Sequence, residues 1–294
     1  MCRVPPTLAK EHKQQNTTSK QLVDVPESGW DRKKSSIEKG LLFLSVFYGT
    51  MVYLDLPMEA DSKFCDGYDK TSLGTCRRPD LIAYKVTAVL CMSYMGLMGT
   101  YNWYFSKPVR QSKSPEERLF GNLAEADAQN VAIFCYQVWD LFVSITIPEH
   151  REGIFLMHHL LAAITAFCSL EFQMVPYYSI FYGGCSELSS IFLVFADMDQ
   201  MFPLIATQYD DYVLASQVLF TLSFTYFRVF GWTYHSFPLW KDVLSCVKSG
   251  SADSYRPGTK QFLYVFLTLN VVLGGLQLFW MGEIVKKVSD IVSQ

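Results

Sequence analysis

Seven apolar stretches alternate with polar ones along the chain: Gly40–Leu56, Ala83–Phe105, Val131–Ile147, Ile154–Glu171, Val175–Phe195, Val213–Trp232 and Phe262–Gly282. The hydrocarbon core of a bilayer, about 30 Å thick, takes roughly 20 apolar residues as α-helix. Each stretch approaches that length. Val86–Phe105 and Phe262–Gly282 carry no charged residue, the first stretch is short, and the third to sixth each carry an ionisable group. The pattern predicts an all-α, polytopic transmembrane bundle of about seven helices.

The polar intervals divide the chain. Residues 1–36 read as a polar, disordered tail, 37–80 as a first transmembrane helix with a Cys-containing loop, 81–285 as a six-helix membrane domain, and 286–294 as a short polar tail. Residues 106–129 and 238–261, rich in Lys, Arg, Ser and Pro, read as exposed loops. Glu149–Gly153 and Phe172–Met174 are short enough to be tight turns, which makes the third, fourth and fifth helices an antiparallel series. Trp30, Trp103, Tyr104, Trp232, Tyr234 and Trp240 fall near helix ends, as an interfacial aromatic belt does.

Composition agrees with this reading: 50% hydrophobic and 15% aromatic residues against 18% charged. The net charge of -3 and the absence of a long basic tract speak against nucleic acid as a partner. The first 36 residues hold Lys10, Lys13, Lys20, Arg32, Lys33 and Lys34 with no apolar core, so a cleavable signal peptide is not expected. Cys91, Cys135, Cys168 and Cys185 sit in apolar stretches and read as core residues. Cys65 and Cys76 share one polar loop; a bridge between them is expected in an oxidising compartment and free thiols in the cytosol. The N-terminal side collects twelve Lys/Arg from Arg32 onward against seven on the other side, which favours a cytosolic N terminus. Asn16-Thr17-Thr18 is a glycosylation sequon usable only with the opposite orientation.

The chemistry lies where lipid should be. A charged side chain at mid-membrane costs at least about 2.5–3.5 kcal/mol, yet Asp140, His158, His159, Glu187 and Arg228 all fall inside apolar stretches. Counting about 1.5 Å per residue from the surface that bears the Glu149–Gly153 turn, Asp140 and Glu187 lie about 12 Å deep and the His pair about 6 Å. Four ionisable groups from three consecutive helices are thus expected in one leaflet, with Tyr136 one turn from Asp140 extending the polar lining. Arg228 falls about 22 Å from that surface, outside the cluster, free to snorkel outward or to pair with a carboxylate across the bundle. Two readings stand for these groups: a substrate pocket, or an ion-pair network that fixes helix packing. Adjacent helical residues point about 100° apart, so one His is expected to line a cavity and the other to pack or orient. Asn270, Gly274 and Gln277 share a face of the last helix and read as interhelical hydrogen bonding. Asp197, Asp199, Asp210 and Asp211 read as a solvated acidic loop; no metal and no resident cofactor are expected.

These residues resemble a known family. His158-His159 at the start of a transmembrane helix resembles the His-His signature of the TLC (TRAM–Lag1–CLN8) domain, as does Tyr136-x-x-x-Asp140 in the preceding helix. Glu187-Leu188-Ser189-Ser190 resembles the E-L-S motif of TLC-domain proteins outside the ceramide synthases, and Arg228 in Phe227-Arg228-Val229 fits the arginine of their next helix. The similarity covers roughly residues 80–285. Ceramide synthases carry Thr three positions beyond the His pair and a later acidic stretch; this chain reads His158-His159-Leu160-Leu161-Ala162 and lacks the stretch, so it is closer to the non-synthase branch. That resemblance implies a lipid-related role: phospholipid or sphingolipid composition, lipid sensing or trafficking. It implies membrane lipids as partners and a cytosolic C terminus after seven spans, opposite to the orientation from the charge count, so the sidedness stays open. The endoplasmic reticulum is the expected location, with the plasma membrane as alternative, and self-association and other membrane proteins stay open. The second reading is an acyltransferase with acyl-CoA as co-substrate, in which His158, His159 and Asp140 are catalytic. A receptor, channel or transporter is the third, though no Schiff-base lysine, N-P-x-x-Y run or filter repeat supports it.

Overall fold

The computed structural model describes residues 28–255 and 258–292 of the chain; the sequon at Asn16 and Lys10, Lys13 and Lys20 lie outside them. Helices dominate: α1 (Gly29–Tyr53), α2 (Pro79–Phe105), the short α3 (Lys107–Gln111) and α4 (Pro115–Phe120), then α5 (Ala124–Thr146) and α6 (Gly153–Phe172). A broken rod follows, made of α7 (Pro176–Tyr182), a tight turn at Cys185–Glu187, α8 (Leu188–Ala196) and α9 (Met198–Met201). After α10 (Pro203–Gln208), α11 (Asp210–Ser223) runs through a π-helical stretch, Phe224–Gly231, into α12 (Trp232–Ser249). The short α13 (Ser251–Tyr255) precedes the last rod, α14 (Thr259–Val292). A two-residue hairpin, β1 (Met58–Glu59) with β2 (Thr75–Cys76), pairs antiparallel in the first loop.

Five of these rods are long and apolar enough to cross a membrane: Pro79–Phe105, Gly153–Phe172, Pro176–Met201, Asp210–Ser249 and Thr259–Ser289. Two more, α1 with 25 residues and α5 with 23, are about 35 Å long. The low hydropathy of α5 has a clear cause. Its Gln129, Asn130, Gln137, Asp140 and Ser144 are all buried, so its polar groups face protein and not lipid. The whole bundle has this inverted character. Leu42, Phe43, Phe105, Phe230, Phe237 and Leu278 are more than half exposed, while Asp140, Glu187 and Arg228 are buried. Charges inside and large apolar side chains outside are the arrangement that a lipid solvent demands. The protein is a multi-pass membrane protein.

Close backbone approach sets the packing. α2 runs against the break in the fifth rod: a Cβ on Gly99 would stand 2.3 Å from the Gly184 Cα, and one on Gly96 would stand 2.8 Å from the Leu188 nitrogen. Small residues allow such contact where lipid offers no hydrophobic drive for helix association. Next to this seam α5 packs on α6 and α1, α11 on α8, and α14 on α6 and the π-helical stretch.

Several expectations are corrected here. The first helix begins at Gly29, inside the segment read as a disordered tail, because Ser28 caps it by accepting from the Asp31 N–H at 3.0 Å. Its start is also tied to distant elements. The Trp30 N–H donates to Glu171 at 3.1 Å, and Lys33 pairs with Asp127 at 2.7 Å. The two expected exposed loops are largely helical and locked together. Ser114 and Glu117 form a capping box on α4, and Arg118 grips the buried Asp242 of α12 at 2.6 and 2.8 Å. Tyr178 donates to the same carboxylate at 2.5 Å. Trp232 is not a belt residue either: it is buried mid-rod and donates to the Asn270 carbonyl at 3.2 Å.

On the face that bears the first loop, Cys65 and Cys76 are bridged. Beside the bridge Arg78, 1% exposed, binds both oxygens of Glu149 at 2.6 and 2.8 Å, both of Asp80 at 3.1 Å, and the Phe64 carbonyl at 3.0 Å. Five donors, four of them filled by two bidentate carboxylates and one by a backbone carbonyl, hold the loop over the bundle end. Glu59 reaches across to accept from the Leu204 and Ile205 amides at 2.6 and 3.1 Å. The hydrogen bonds from Arg78 hold the Glu149 carboxyl below its usual value. Burial, reinforced by Lys85, pushes the neighbouring His150 from 6.5 down to about 4. Both folded values lie below the unfolded ones, so each group contributes stability at neutral pH that is lost on acidification. The unfolding temperature of the detergent-solubilised chain is expected to fall between pH 6.5 and about 4 as unfolded His150 takes up its proton, then further as Glu149 protonates. In Arg78→Met the second phase should vanish and proteolysis within residues 57–77 should rise at neutral pH; a pH profile identical to wild type would contradict the clamp.

Candidate functional site

Two polar nodes stand inside the bundle. The first is built on α5, where Gln137, Asp140 and Ser144 recur at helical spacing on the buried face. Asp140, wholly buried, accepts from the Tyr84 hydroxyl of α2 at 3.0 and 3.2 Å and from Ser144 at 2.6 Å. His159 of α6 faces it, with Nδ1 2.6 Å from the Gln137 Oε1 and 3.4 Å from the Asp140 Oδ2. Both neighbours are acceptors, so Nδ1 carries the proton and donates, leaving the lone pair on Nε2. That Nε2 is buried without a hydrogen-bond partner among the described residues. Tyr136, 1% exposed, fills the same region of α5.

The second node explains the Glu187-Leu188-Ser189-Ser190 run residue by residue. Arg228 projects from the π-helical stretch, a widened turn that brings Phe224, Phe227 and Arg228 inward together. Its Nε donates to the Ser186 carbonyl and the Ser189 Oγ, both at 2.9 Å. Its Nη2 donates to Glu187 at 2.9 Å and Ser190 at 2.7 Å, and Nη1 reaches Gln277 of α14 at 3.4 Å. Ser190 in turn donates to Glu187 at 2.8 Å. A buried guanidinium and carboxylate are tolerated because the guanidinium donates to several acceptors and the Glu187 Oε2 accepts from both Arg228 and Ser190.

The expected common depth does not hold. Tyr84, which binds Asp140, is five residues into α2, or about 8 Å; Gly96, which abuts Glu187, is seventeen residues in, or about 25 Å. The error lies at the end of the fifth rod, which continues to Met201 and does not exit at Phe195. Glu187 is thereby placed at the level of Arg228 and pairs with it. The placement of Arg228 outside the cluster is corrected accordingly: of the two fates considered for it, the structure shows pairing across the bundle and not snorkelling.

A cleft of about 380 Å³ joins the nodes. His158, His159, Glu187 and Arg228 line it, together with Tyr136 and Gln137, while Met92, Phe155, Leu193, Phe220, Phe224 and Trp280 supply apolar walls. Glu283 and Lys287, near the end of α14, stand at its mouth. Both His rings line the cleft, in place of the single one expected. His159 is the oriented one, and His158 stands edge-on to Trp280 at 4.9 Å between the cleft and a deeper void of about 60 Å³. Its lining mixes polar groups, among them Asn130, Ser169, Asn270 and Gln277, with apolar ones such as Ile133, Ala162, Phe266 and Leu273, and it has room for a few waters.

The last helix reads as expected from Asn270, Gly274 and Gln277. Trp240 donates to the Asn270 side chain at 3.2 Å, Gly274 lies against the Trp232 ring, and Gln277 meets Arg228. In the acidic loop Asp197 pairs with Lys85 at 3.3 Å. Among the described residues no group of three or more His, Cys, Asp or Glu could hold a metal ion. Sequence reasoning missed Tyr84, Gln137, Ser144 and Ser186. Only Gln137 carried a signal, as an uncharged polar residue three positions before Asp140 in an apolar run.

A family model described as TLC domain matches residues 82–286 of the chain. Comparison with curated proteins and with solved structures finds no match.

The Glu187–Arg228 pair can be tested by a double-mutant cycle on the detergent-solubilised protein. Either Arg228→Leu or Glu187→Leu leaves one buried charge uncompensated and should cost about 3–5 kcal/mol. The double variant should lose clearly less than the sum, with a coupling of about 1 kcal/mol or more. Additive losses would mean that the two side chains do not depend on each other.

Proposed function

The chain belongs to the TLC-domain family, and on that premise we propose that it takes up the acyl chain of a membrane lipid in the cleft and thereby regulates membrane lipid composition. The observation that carries this reading is the cleft's construction. Apolar walls suited to hydrocarbon surround a short series of polar groups, His158, His159, Glu187 and Arg228, that can orient a headgroup or carbonyl. Its mouth lies at Glu283 and Lys287, on the face that carries the Cys65–Cys76 bridge. The bridge supports an oxidising compartment on that side, and the twelve Lys/Arg support the cytosol on the other. We therefore propose the endoplasmic reticulum membrane, with the plasma membrane as alternative, and self-association remains compatible with the lipid-facing surface. Cells lacking the protein should show a shifted acyl-chain profile across phospholipids and sphingolipids. Wild type should restore it, and Leu193→Trp, which fills the cleft, should not. An unchanged profile in the deficient cells would sink the proposal.

One observation favours a second reading, acyl transfer. His159 is held in one tautomer by Gln137 and Asp140; its ring lines the cleft, and its Nε2 has no hydrogen-bond partner among the described residues. That nitrogen could take the proton from an acceptor lipid's amine or hydroxyl as it attacks the thioester carbonyl of acyl-CoA. The coenzyme A thiolate then leaves and collects the proton. Purified protein with radioactive acyl-CoA and a mixed lipid acceptor should form labelled lipid, lost by at least about 100-fold in His159→Ala and strongly reduced in Gln137→Leu. Label formation untouched by either substitution would remove this mechanism.

A further inference from the structure

The end of the bundle opposite the disulfide carries a second feature, independent of the acyl cleft. Between the C-terminal end of α2 and α3 lies a cleft of about 430 Å³ lined by Trp103, Tyr177, Lys107, Arg110, Ser112 and Lys113. It contains three cations and no carboxylate. Among the described residues none of the three is ion-paired, whereas the neighbouring Arg118 is neutralised by Asp242. The nearby acids are engaged elsewhere: Glu125 accepts from Ser106 at 2.8 Å, and Glu117 accepts from the Lys113 and Ser114 amides at 2.7 and 2.9 Å.

The backbone that carries the cations is held in place, while their side chains are exposed. Val109, 1% exposed, plugs α3 into a small core with Leu123, Ala126 and Ile180. Ser112 donates to the Pro108 carbonyl at 3.2 Å, and the Lys113 carbonyl accepts from Arg118. Three like charges gathered around one cleft repel one another, and an anion bound among them relieves that repulsion. Its chemistry is narrowed by position. Trp103 and Tyr177, with rings 4.8 Å apart, form an aromatic floor at the exit of a membrane-crossing helix, where headgroup phosphates lie. Immediately toward the membrane, Tyr101 and Phe105 are 58% and 67% exposed and offer a surface for hydrocarbon tails.

We propose that this cleft binds the phosphate headgroup of an anionic membrane phospholipid through Lys107, Arg110 and Lys113. The site is separate from the His-lined cleft, whose mouth is at the other end of the bundle.

The test uses the full chain in a neutral detergent, titrated with dioctanoyl phosphatidic acid or dioctanoyl phosphatidylcholine, with retained lipid counted by native mass spectrometry. Wild type should bind the anionic lipid at least tenfold more tightly than the zwitterionic one. Lys107→Ala/Arg110→Ala/Lys113→Ala should abolish that preference with its unfolding temperature unchanged. A charge-matched control, Lys34→Ala/Lys241→Ala/Lys248→Ala, removes exposed cations from the same end of the bundle and should keep it. Equal loss in the control would show diffuse surface charge and overturn the proposal, as would absence of a preference in wild type. Displacement of the lipid by inorganic phosphate at equal concentration would overturn the assignment to a lipid headgroup. Should the triple variant be unstable, Lys107→Gln and Arg110→Gln singly should each weaken the anionic lipid, and retention of full affinity in both would count as refutation.

Discussion

Arg228 and Glu187 meet in the middle of a bundle surrounded by hydrocarbon, and most of the surrounding structure follows from keeping them paired. Each charge alone would cost several kcal/mol at that depth. The pair is tolerable only if the serines at 186, 189 and 190 and Gln277 occupy the remaining donors and acceptors. That requirement breaks the fifth rod into a tight turn at Cys185–Glu187, so that a serine hydroxyl and a backbone carbonyl both face the guanidinium. It also accounts for the widened π-helical turn that carries Arg228 inward. Gly99 and Gly96 complete the arrangement, because only residues without side chains let α2 close over the break.

The cleft is a by-product of this geometry. A rod that bends at Glu187, beside one that widens at Arg228, cannot pack flush against α6 and α14, and the gap runs up past His158 and His159 to the mouth at Glu283 and Lys287. Along its wall the two nodes do different work. At the Glu187–Arg228 node the guanidinium is spread over several acceptors, and both side chains also face the cavity. At the Asp140 node the carboxylate is saturated, but His159 keeps a free nitrogen. The unpartnered ring nitrogen thus stands at the Asp140 node and not at the Glu187–Arg228 pair.

Charge placement at the two membrane faces follows a different rule. On the disulfide face, Arg78 is buried and shared between two carboxylates, which fixes the loop as a cover. At the other face, Arg118 is consumed by Asp242, while Lys107, Arg110 and Lys113 are left around an open cleft. Cations that have internal partners hold elements together; those without them face the surroundings.

The helical membrane character of the chain was legible in its sequence, because hydropathy is a local property: twenty apolar residues need a bilayer wherever they end up. The unusual residues were legible for the same reason, since Asp140, the His pair, Glu187 and Arg228 stand out against an apolar background. Their partnerships were not. Counting from the apparent end of an apolar run placed Glu187 beside Asp140, yet the rod continues through a polar segment to Met201, and Glu187 belongs with Arg228 instead. Tyr84 and Gln137, ordinary residues in their own segments, gained roles from what α5 and α6 bring against them. Residues 238–249 looked like a loop because Asp242 and Lys241 are polar, but Arg118 and Tyr178 bury and satisfy that carboxylate within a helix. Which segments cross and which residues are costly was determined by sequence alone. How each cost is offset depended on tertiary structure, because the compensating donors come from helices tens to more than a hundred residues away.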